Sequence, residues 1–457
     1  MSNITTDTWK PVGWTSAPNN RGTIDILWDC GFTILLCTWT VLCVNISPPG
    51  ATTWYLIRRK VWLALICWMG PEFLFFLSVH QWQSARRSVR EFRDLGLEGW
   101  TLKHAFFGDM GGFVLQTAEG IRFPLTSKHL HFLIAEGFID RDYAKNYIIV
   151  DERIIEDKNK TDNIIRIITV GQTLWFVANC IARAVQKLAI TTIELTVCAF
   201  ITTTVPVVYF WFQKPADISS AFTVECHATV QEIRARAGKA SSEDWYRTPL
   251  SFLDSQETWI SLGWTYFVNI LRHMTTLRLF KAPDYRCKPL ESIPDDHFGD
   301  MTPGPTLAIQ GFVTAACFAI NISAWNFWFP TRVERNLWRV ASIVQASSIY
   351  WGAFFNMFII PMLTRSGLFE WFDSTFTCHI DRVWKGRTAF AVALRNNHPD
   401  KDPAFTVQLR VIIPGILIAA SYCIARAYLL MEDLVILRLQ PPSTYETVNW
   451  TAFLPHV

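Results

Sequence analysis

An acidic side chain within an apolar run is the sharpest chemical signal in this 457-residue chain. Glu72 follows Pro71 inside the stretch 61–80, where burying a charged group in lipid costs about 2.5 to 3.5 kcal/mol on insertion scales. Something must compensate. Pro71 has no N–H to give the carbonyl of Cys67, four residues back, so a kink with local polar contacts is predicted there. A carboxyl so placed serves either as an acid or base facing a cavity or as a partner in an interhelical hydrogen bond. Gln172, Asn179 and Arg183 recur at i, i+7 and i+11, which at about 100° per residue puts them within about 40° of one another on a helix. Across the next turn Glu194 can pair with Arg183 near a membrane boundary, and Gln345 and Asn356 repeat the i, i+11 spacing with Ser342 nearby. Both stripes read as bundle-interior hydrogen bonding or as the lining of a polar ligand chamber. The catalytic candidates are therefore Glu72, Gln172, Asn179 and Arg183, and the substrate-binding candidates are Glu194, Gln345 and Asn356. Arg426 with Glu432 reads as charge snorkelling at the end of a span.

The elements that must hold these residues follow from composition. Hydrophobic residues are 50% of the chain and charged ones 18%, with 21 Trp and 33 Phe, and the mean hydropathy is +0.19; such a chain suits lipid better than water. Seven stretches reach the roughly 20 apolar residues that a membrane span needs: 26–46, 61–80, 164–184, 189–212, 307–329, 338–363 and 409–431. They lack the in-out alternation of barrel strands, so the expected fold class is all-α, a polytopic membrane helix bundle of about seven spans. The polar segment 1–25 lacks the pattern of a cleaved signal. Spans one and two occupy 26–80, three and four 164–212, five and six 307–363, and the seventh 409–431. The long loops are 81–163, 213–306 and 364–408. In the first, Trp82, Val89 and Phe92 recur among arginines as in an interfacial helix. In the second, Phe252, Trp259, Trp264, Phe267 and Leu271 suggest another surface helix or an eighth span. The tail 432–457 is expected to pack on the bundle. Basic short turns (Arg58, Arg59, Lys60, Lys187, Arg332, Arg335) favour a cytosolic turn side, whereas Arg86, Arg87, Arg90 and Arg93 pull the other way. Sequons at Asn3, Asn45, Asn159 and Asn449 divide between the two sides and mark a candidate glycoprotein without fixing its orientation.

Several chemistries are excluded. A net charge of +3 with both signs scattered offers nucleic acid no basic patch. Of 11 Cys, eight lie in apolar runs; Cys226, Cys287 and Cys378 leave room for one loop disulfide, and no CxxC or zinc spacing occurs. Asp295, Asp296 and Asp300 have the spacing of a magnesium-diphosphate motif, but prolines 294, 303 and 305 favour an exposed turn. His129 with His131, and Asp373, Cys378, His379 and Asp381, are incomplete ligand sets. There are no histidine boxes, P-loop, GxSxG elbow or GxGxxG fingerprint, so no metal and no cofactor is expected. Gly108, Gly111 and Gly112 read as a tight turn returning to the membrane surface.

The chain resembles an uncharacterised family of fungal multi-spanning membrane proteins, some encoded beside secondary-metabolite genes. The stretches that carry the resemblance are Arg21-Gly-Thr-Ile-Asp-Ile-Leu-Trp28, Pro71-Glu72, Met110-Gly-Gly-Phe113, Gln172-Thr-Leu-Trp-Phe176 with Ile181-Ala-Arg183, Lys214-Pro215, Trp325-Asn-Phe-Trp-Phe-Pro-Thr331 and Tyr445-Glu-Thr-Val-Asn-Trp450 with Pro455-His456. It is weakest over 216–300 and 364–408, and Asp29 departs from the small polar residue expected after Trp28. It implies no settled activity. Together with the intramembrane acid it leads us to expect an auxiliary enzyme of an internal membrane, the endoplasmic reticulum, that acts on an apolar intermediate. Acid-base chemistry would drive cyclisation of a polyprenyl chain, in the manner of a terpene cyclase, or an isomerisation. The alternatives are a transporter of an apolar metabolite and a noncatalytic scaffold. The expected partners are the lipid bilayer, an apolar small molecule and other biosynthetic enzymes.

Overall fold

Gly, Pro and Thr at the ends of the apolar runs decide where the helices start and stop. The computed structural model describes residues 10–16, 21–149, 152–157, 163–216, 218, 220–238, 245, 248–253, 267, 289–295, 304–354 and 409–453. Helix α1 (Thr23–Trp39) opens where the Gly22 N–H donates to Asp25 Oδ2 at 2.8 Å. Helix α2 (Thr53–Met69) is capped by the Thr52 hydroxyl, which accepts from the Tyr55 N–H. It stops at Gly70, and Pro71, which needs no N–H donor at a first helical position, begins α3 (Pro71–Asp94). The two helices meet at 115°. The kink predicted within a span is therefore a full break.

After α3 come α4 (Leu102–Asp109), β1 (Phe113–Gln116), β2 (Arg122–Leu125), α5 (Ser127–Ala135), the short α6 (Arg141–Tyr143) and α7 (Glu152–Asp157). The long helices α8 (Asn163–Val185) and α9 (Thr192–Phe210) precede β3 (Phe222–Glu225) and α10 (Val230–Arg236). Helices α11 (Pro305–Ser323), α12 (Arg332–Phe354) and α13 (Leu409–Val435) complete the bundle. In it α12 packs along α13, α11 along α9, and α9 also against α1, α3 and α8.

Mostly helical architecture is as expected; seven spans are not what the described residues give. Four helices are long and apolar enough to cross a membrane, Ile164–Val185, Thr192–Phe210, Pro305–Asn326 and Pro414–Arg438, or five if the broken α2–α3 pair is one span. The run 26–46 falls short because α1 has 17 residues and residues 42–46 continue as buried non-helical chain. Of the run 338–363 the described part ends at Phe354, in a helix whose opening turns carry Arg332, Glu334, Arg335 and Arg339.

A small sheet is the other departure. Strand β1 pairs antiparallel with β2 (Phe113↔Leu125) and parallel with β3 (Phe113↔Phe222), so segments on either side of the α8–α9 pair join in one layer of order β2-β1-β3. The glycine turn feeds this sheet: Gly111 adopts φ +84°, and a Cβ on Gly112 would lie 2.3 Å from the Phe107 ring. Phe92 and Trp100 stack at 4.1 Å beneath it, both buried with Phe106, Phe107 and Phe113. The segment anticipated as an interfacial helix is thus the second half of α3, with Phe92 turned into a packed α/β core. Of the second expected surface helix only Phe252 and Phe267 lie within the described residues.

A separate apolar core joins α1, α9, α12 and α13 through Ile26, Val197, Trp338 and Leu429. The tail packs as expected: Gln440 bridges to Val12, the Tyr445 hydroxyl donates to the Gly13 carbonyl at 3.1 Å, and Trp450 stacks on Trp175 at 5.0 Å.

Candidate functional site

Breaking a helix inside a bundle brings two opposite dipole ends to one place, and the polar residues gather there. Glu72 lies in the first turn of α3, where unpaired N–H groups favour a carboxylate. The last carbonyls of α2, which favour donors, face α13: Tyr422 reaches the Met69 carbonyl at 3.1 Å, and Arg426 Nη2 donates to the Trp68 carbonyl at 3.4 Å. The Tyr422 hydroxyl also makes a short hydrogen bond to Glu72 Oε1, and Gln345 Nε2 of α12 donates to the Tyr422 oxygen at 3.4 Å. Glu72 is wholly buried, and its Oε2 has no hydrogen-bond partner. Arg426 acts on the carboxyl electrostatically without touching it, its guanidinium lying over the Phe200 ring at 5.1 Å. Phe73 stacks on Phe267 at 4.2 Å, and both present edges to Tyr422, at 5.5 and 5.7 Å. One free carboxyl oxygen beside three aromatic rings can give or take a proton in apolar surroundings.

The structure brings together Glu72 and Gln345 from the predicted set and adds Tyr422, Arg426 and Phe267. Arg426 is a correction. A snorkelling arginine holds its head in the interface, whereas this one is buried and is drawn inward by the α2 carbonyls. Its spacing to Tyr422, i and i+4 on α13, was the available signal. Asn356 lies outside the described residues.

Gln172, Asn179 and Arg183 do not form an inward stripe. The buried face of α8 carries Arg166, Thr169, Thr173, Cys180 and Arg183; Gln172 is exposed and Asn179 half-buried. Arg183 serves the tail instead, donating to the carbonyls of Ala189 (2.8 Å), Ser443 (3.1 Å), Thr444 (2.9 Å) and Glu446 (2.8 Å). Its expected approach to Glu194 is present at 4.0 Å. Glu194 pairs more closely with Arg21, at 2.5 Å, and caps α9 by accepting from the Thr191 N–H at 2.8 Å. Beside this clamp Leu188, Ile190, Phe327, Trp328, Ile436 and Pro441 line an apolar groove of about 290 Å³.

A second buried cation cluster lies where the bundle meets the sheet. Lys214 Nζ donates to Gln81 Oε1 at 2.8 Å and sits 4.5 Å from the Trp211 ring centroid; burial pushes its pKa down to about 8. Arg166 donates to the carbonyls of Trp211 and Lys214, at 3.2 and 3.3 Å, and to Cys43 Sγ at 3.1 Å.

The aspartate-rich stretch holds an ion pair in the part that is described: Arg59 binds the Asp295 carboxylate with both Nε and Nη2, and the Asn45 N–H donates to it at 2.7 Å. Asn45 itself is buried, its amide donating to the Pro294 carbonyl at 2.8 Å, which removes that sequon from the surface. Asp296, Asp300 and the set around Cys378 lie outside the described residues. Cys226 is a buried free thiol. No group of three or more metal-ligating side chains occurs among the described residues.

The chain belongs to a family of unknown function (DUF8562), whose model matches residues 2–235 and 306–457. No curated protein and no solved structure matches it.

Proposed function

We propose that this member of the family is a multi-pass protein of an internal fungal membrane, the endoplasmic reticulum, and an auxiliary enzyme that isomerises or cyclises an apolar, alkene-bearing intermediate of secondary metabolism. The observation that carries this reading is the buried Glu72 carboxyl, held at Oε1 by Tyr422 and unpartnered at Oε2, with Phe73 and Phe267 packed on that tyrosine. In its neutral form Glu72 gives its proton to an alkene carbon. The alkene electron pair forms the new C–H bond, and a carbocation develops that the faces of the aromatic rings stabilise. A second alkene attacks that cation in a cyclisation. Loss of a proton from the neighbouring carbon forms the final double bond and returns the proton to the carboxylate, so no oxidant or cofactor is consumed. In the base-led alternative, Glu72 removes a proton first and donors hold the developing negative charge. Tyr422 and Gln345 are within reach of that role, and the exposed Gln172 is not.

A carrier of an apolar metabolite is the second reading, favoured by the 115° break of α2–α3, since opposed half-helix ends are a common form of intramembrane ion site. Deleting the gene and profiling cell extracts and medium separates the two. Accumulation of an uncyclised or unisomerised precursor supports the enzyme. Unchanged intracellular metabolites with less exported product support the carrier, and no change in either leaves a scaffold.

A further inference from the structure

Buried polar atoms without hydrogen-bond partners continue from Glu72 through the bundle in one direction. Tyr422, Arg426 and Asp433 stand at i, i+4 and i+11 on α13, within about 40° of one another, and Thr192, Thr196 and Phe200 share a face of α9 at i, i+4 and i+8. The Arg426 guanidinium over Phe200 brings these faces together. Asp433 is buried, the Thr192 and Thr196 hydroxyls lie close enough to act on its carboxylate, and so does Arg426. Arg426 acts on Glu72 in the same way. Neither oxygen of Asp433, neither threonine hydroxyl and no second oxygen of Glu72 has a hydrogen-bond partner within normal reach. Buried polar groups are normally satisfied by protein or by ordered water; the Thr192 and Thr196 hydroxyls stand at the Asp433 end, and Arg426 stands between them and Glu72, so water ordered beside Arg426 would complete a proton path.

Charge supports the same conclusion. Two buried carboxylates around one guanidinium carry a net negative charge, which a low-dielectric interior disfavours. One proton shared between them makes the set neutral, with the proton on Glu72 or on Asp433. We propose that Asp433 and Glu72 are the terminal carboxyls of an internal proton relay, with Arg426 between them and the Thr192 and Thr196 hydroxyls along its wall. A proton leaves Asp433, passes along the hydroxyls and the water they order, and arrives on the Glu72 carboxylate; Asp433 is reprotonated from its own end of the bundle. Arg426 pairs with whichever carboxylate is ionised. The relay rests on the reading of Glu72 as a proton-handling group and supplies its proton. The other titratable groups facing Glu72 are Tyr422, Cys67 and Cys317, and those facing Asp433 are Glu432 and Cys30.

Infrared difference spectroscopy after a pH jump tests it on the full-length protein in lipid vesicles. The protonated-carboxyl band that Glu72→Gln abolishes identifies Glu72. Asp433→Asn is expected to slow the appearance of that band at least tenfold, and Thr196→Val, which keeps the side-chain shape and removes the hydroxyl, about threefold. An unchanged rate in Asp433→Asn, or in Thr196→Val should the first variant fail to reach the membrane, overturns the relay. The two readings fail separately. Product lost in Glu72→Gln with an unchanged Glu72 protonation rate in Asp433→Asn removes the relay alone; normal product in Glu72→Gln with the slowed band in Asp433→Asn removes the acid-base enzyme alone.

Discussion

The helical bundle and the small α/β unit built on α3 obey opposite rules. In the α/β unit Phe92, Trp100, Phe106, Phe107 and Phe113 are buried, while Arg86, Arg90, Arg93, Asp94 and Glu98 face outward, as water demands. Helix α8 reverses this. Its outer face exposes Ile164, Ile167, Leu174, Trp175, Ile181 and Val185 by 53–62%, while Arg166 and Arg183 are each 2% exposed. Phe312 at 75% and Ile424 at 70% extend the same apolar surface over α11 and α13. An exposed apolar face on three of the four span-length helices is what a lipid solvent produces, because burying it gains nothing there and backbone and polar groups must be satisfied inside. The contrast is the one expected of a chain that sits partly in lipid and partly in water, and the broken helix α2–α3 joins the two regions.

Single-cysteine labelling in permeabilised membranes is the largest expected contrast. In a background without reactive native thiols, Glu98→Cys should react with a water-soluble maleimide within minutes, and Ile167→Cys should stay unlabelled until detergent is added. Comparable labelling of both would remove the two-solvent description. Next in size, Phe107→Ala should destabilise the α/β unit by about 4 kcal/mol through lost burial and a cavity under Gly112, read as a lowered melting temperature in detergent. The same truncation on the lipid-facing side, Ile167→Ala, should change stability by less than about 0.5 kcal/mol.

At the junction, Lys214 makes the comparison pH-dependent. Its folded pKa of about 8 lies below the unfolded value of 10.5, so between these values the unfolded chain binds more protons and stability rises with pH. The penalty for the buried cation is fully present below about pH 8. It is worth about 3 kcal/mol across that window. Lys214→Met should flatten the rise in melting temperature between pH 8 and 10; a wild-type protein whose melting temperature falls steadily over that range would contradict the assignment.

Much of the bundle was legible from the length of its apolar runs: those at 164–184 and 189–212 lie within three residues of α8 and α9 at both ends. Where the runs misled, the reason was local. Trp39 ends α1 early, and charges at the start of α12 dilute its apolar window. The sheet left little trace, since its strands have four residues, one contains Pro124, and the parallel β1–β3 pair joins residues more than 100 positions apart. Glu72 stood out by its insertion cost. Tyr422 did not, because a tyrosine in an apolar run is unremarked until the broken helix turns carbonyls toward it. The α8 stripe shows the limit of periodicity: it tells which residues share a face, and Gln172 lies about 80° round from the face that packing buries.

The central claim, that the carboxyl at the helix break handles protons, is tested most directly by Glu72→Gln, which keeps the size and the Tyr422 contact while abolishing ionisation. At equal amounts of membrane-inserted protein with an unchanged melting temperature, product formation is predicted to fall at least 100-fold. Undiminished product from that variant would contradict the claim.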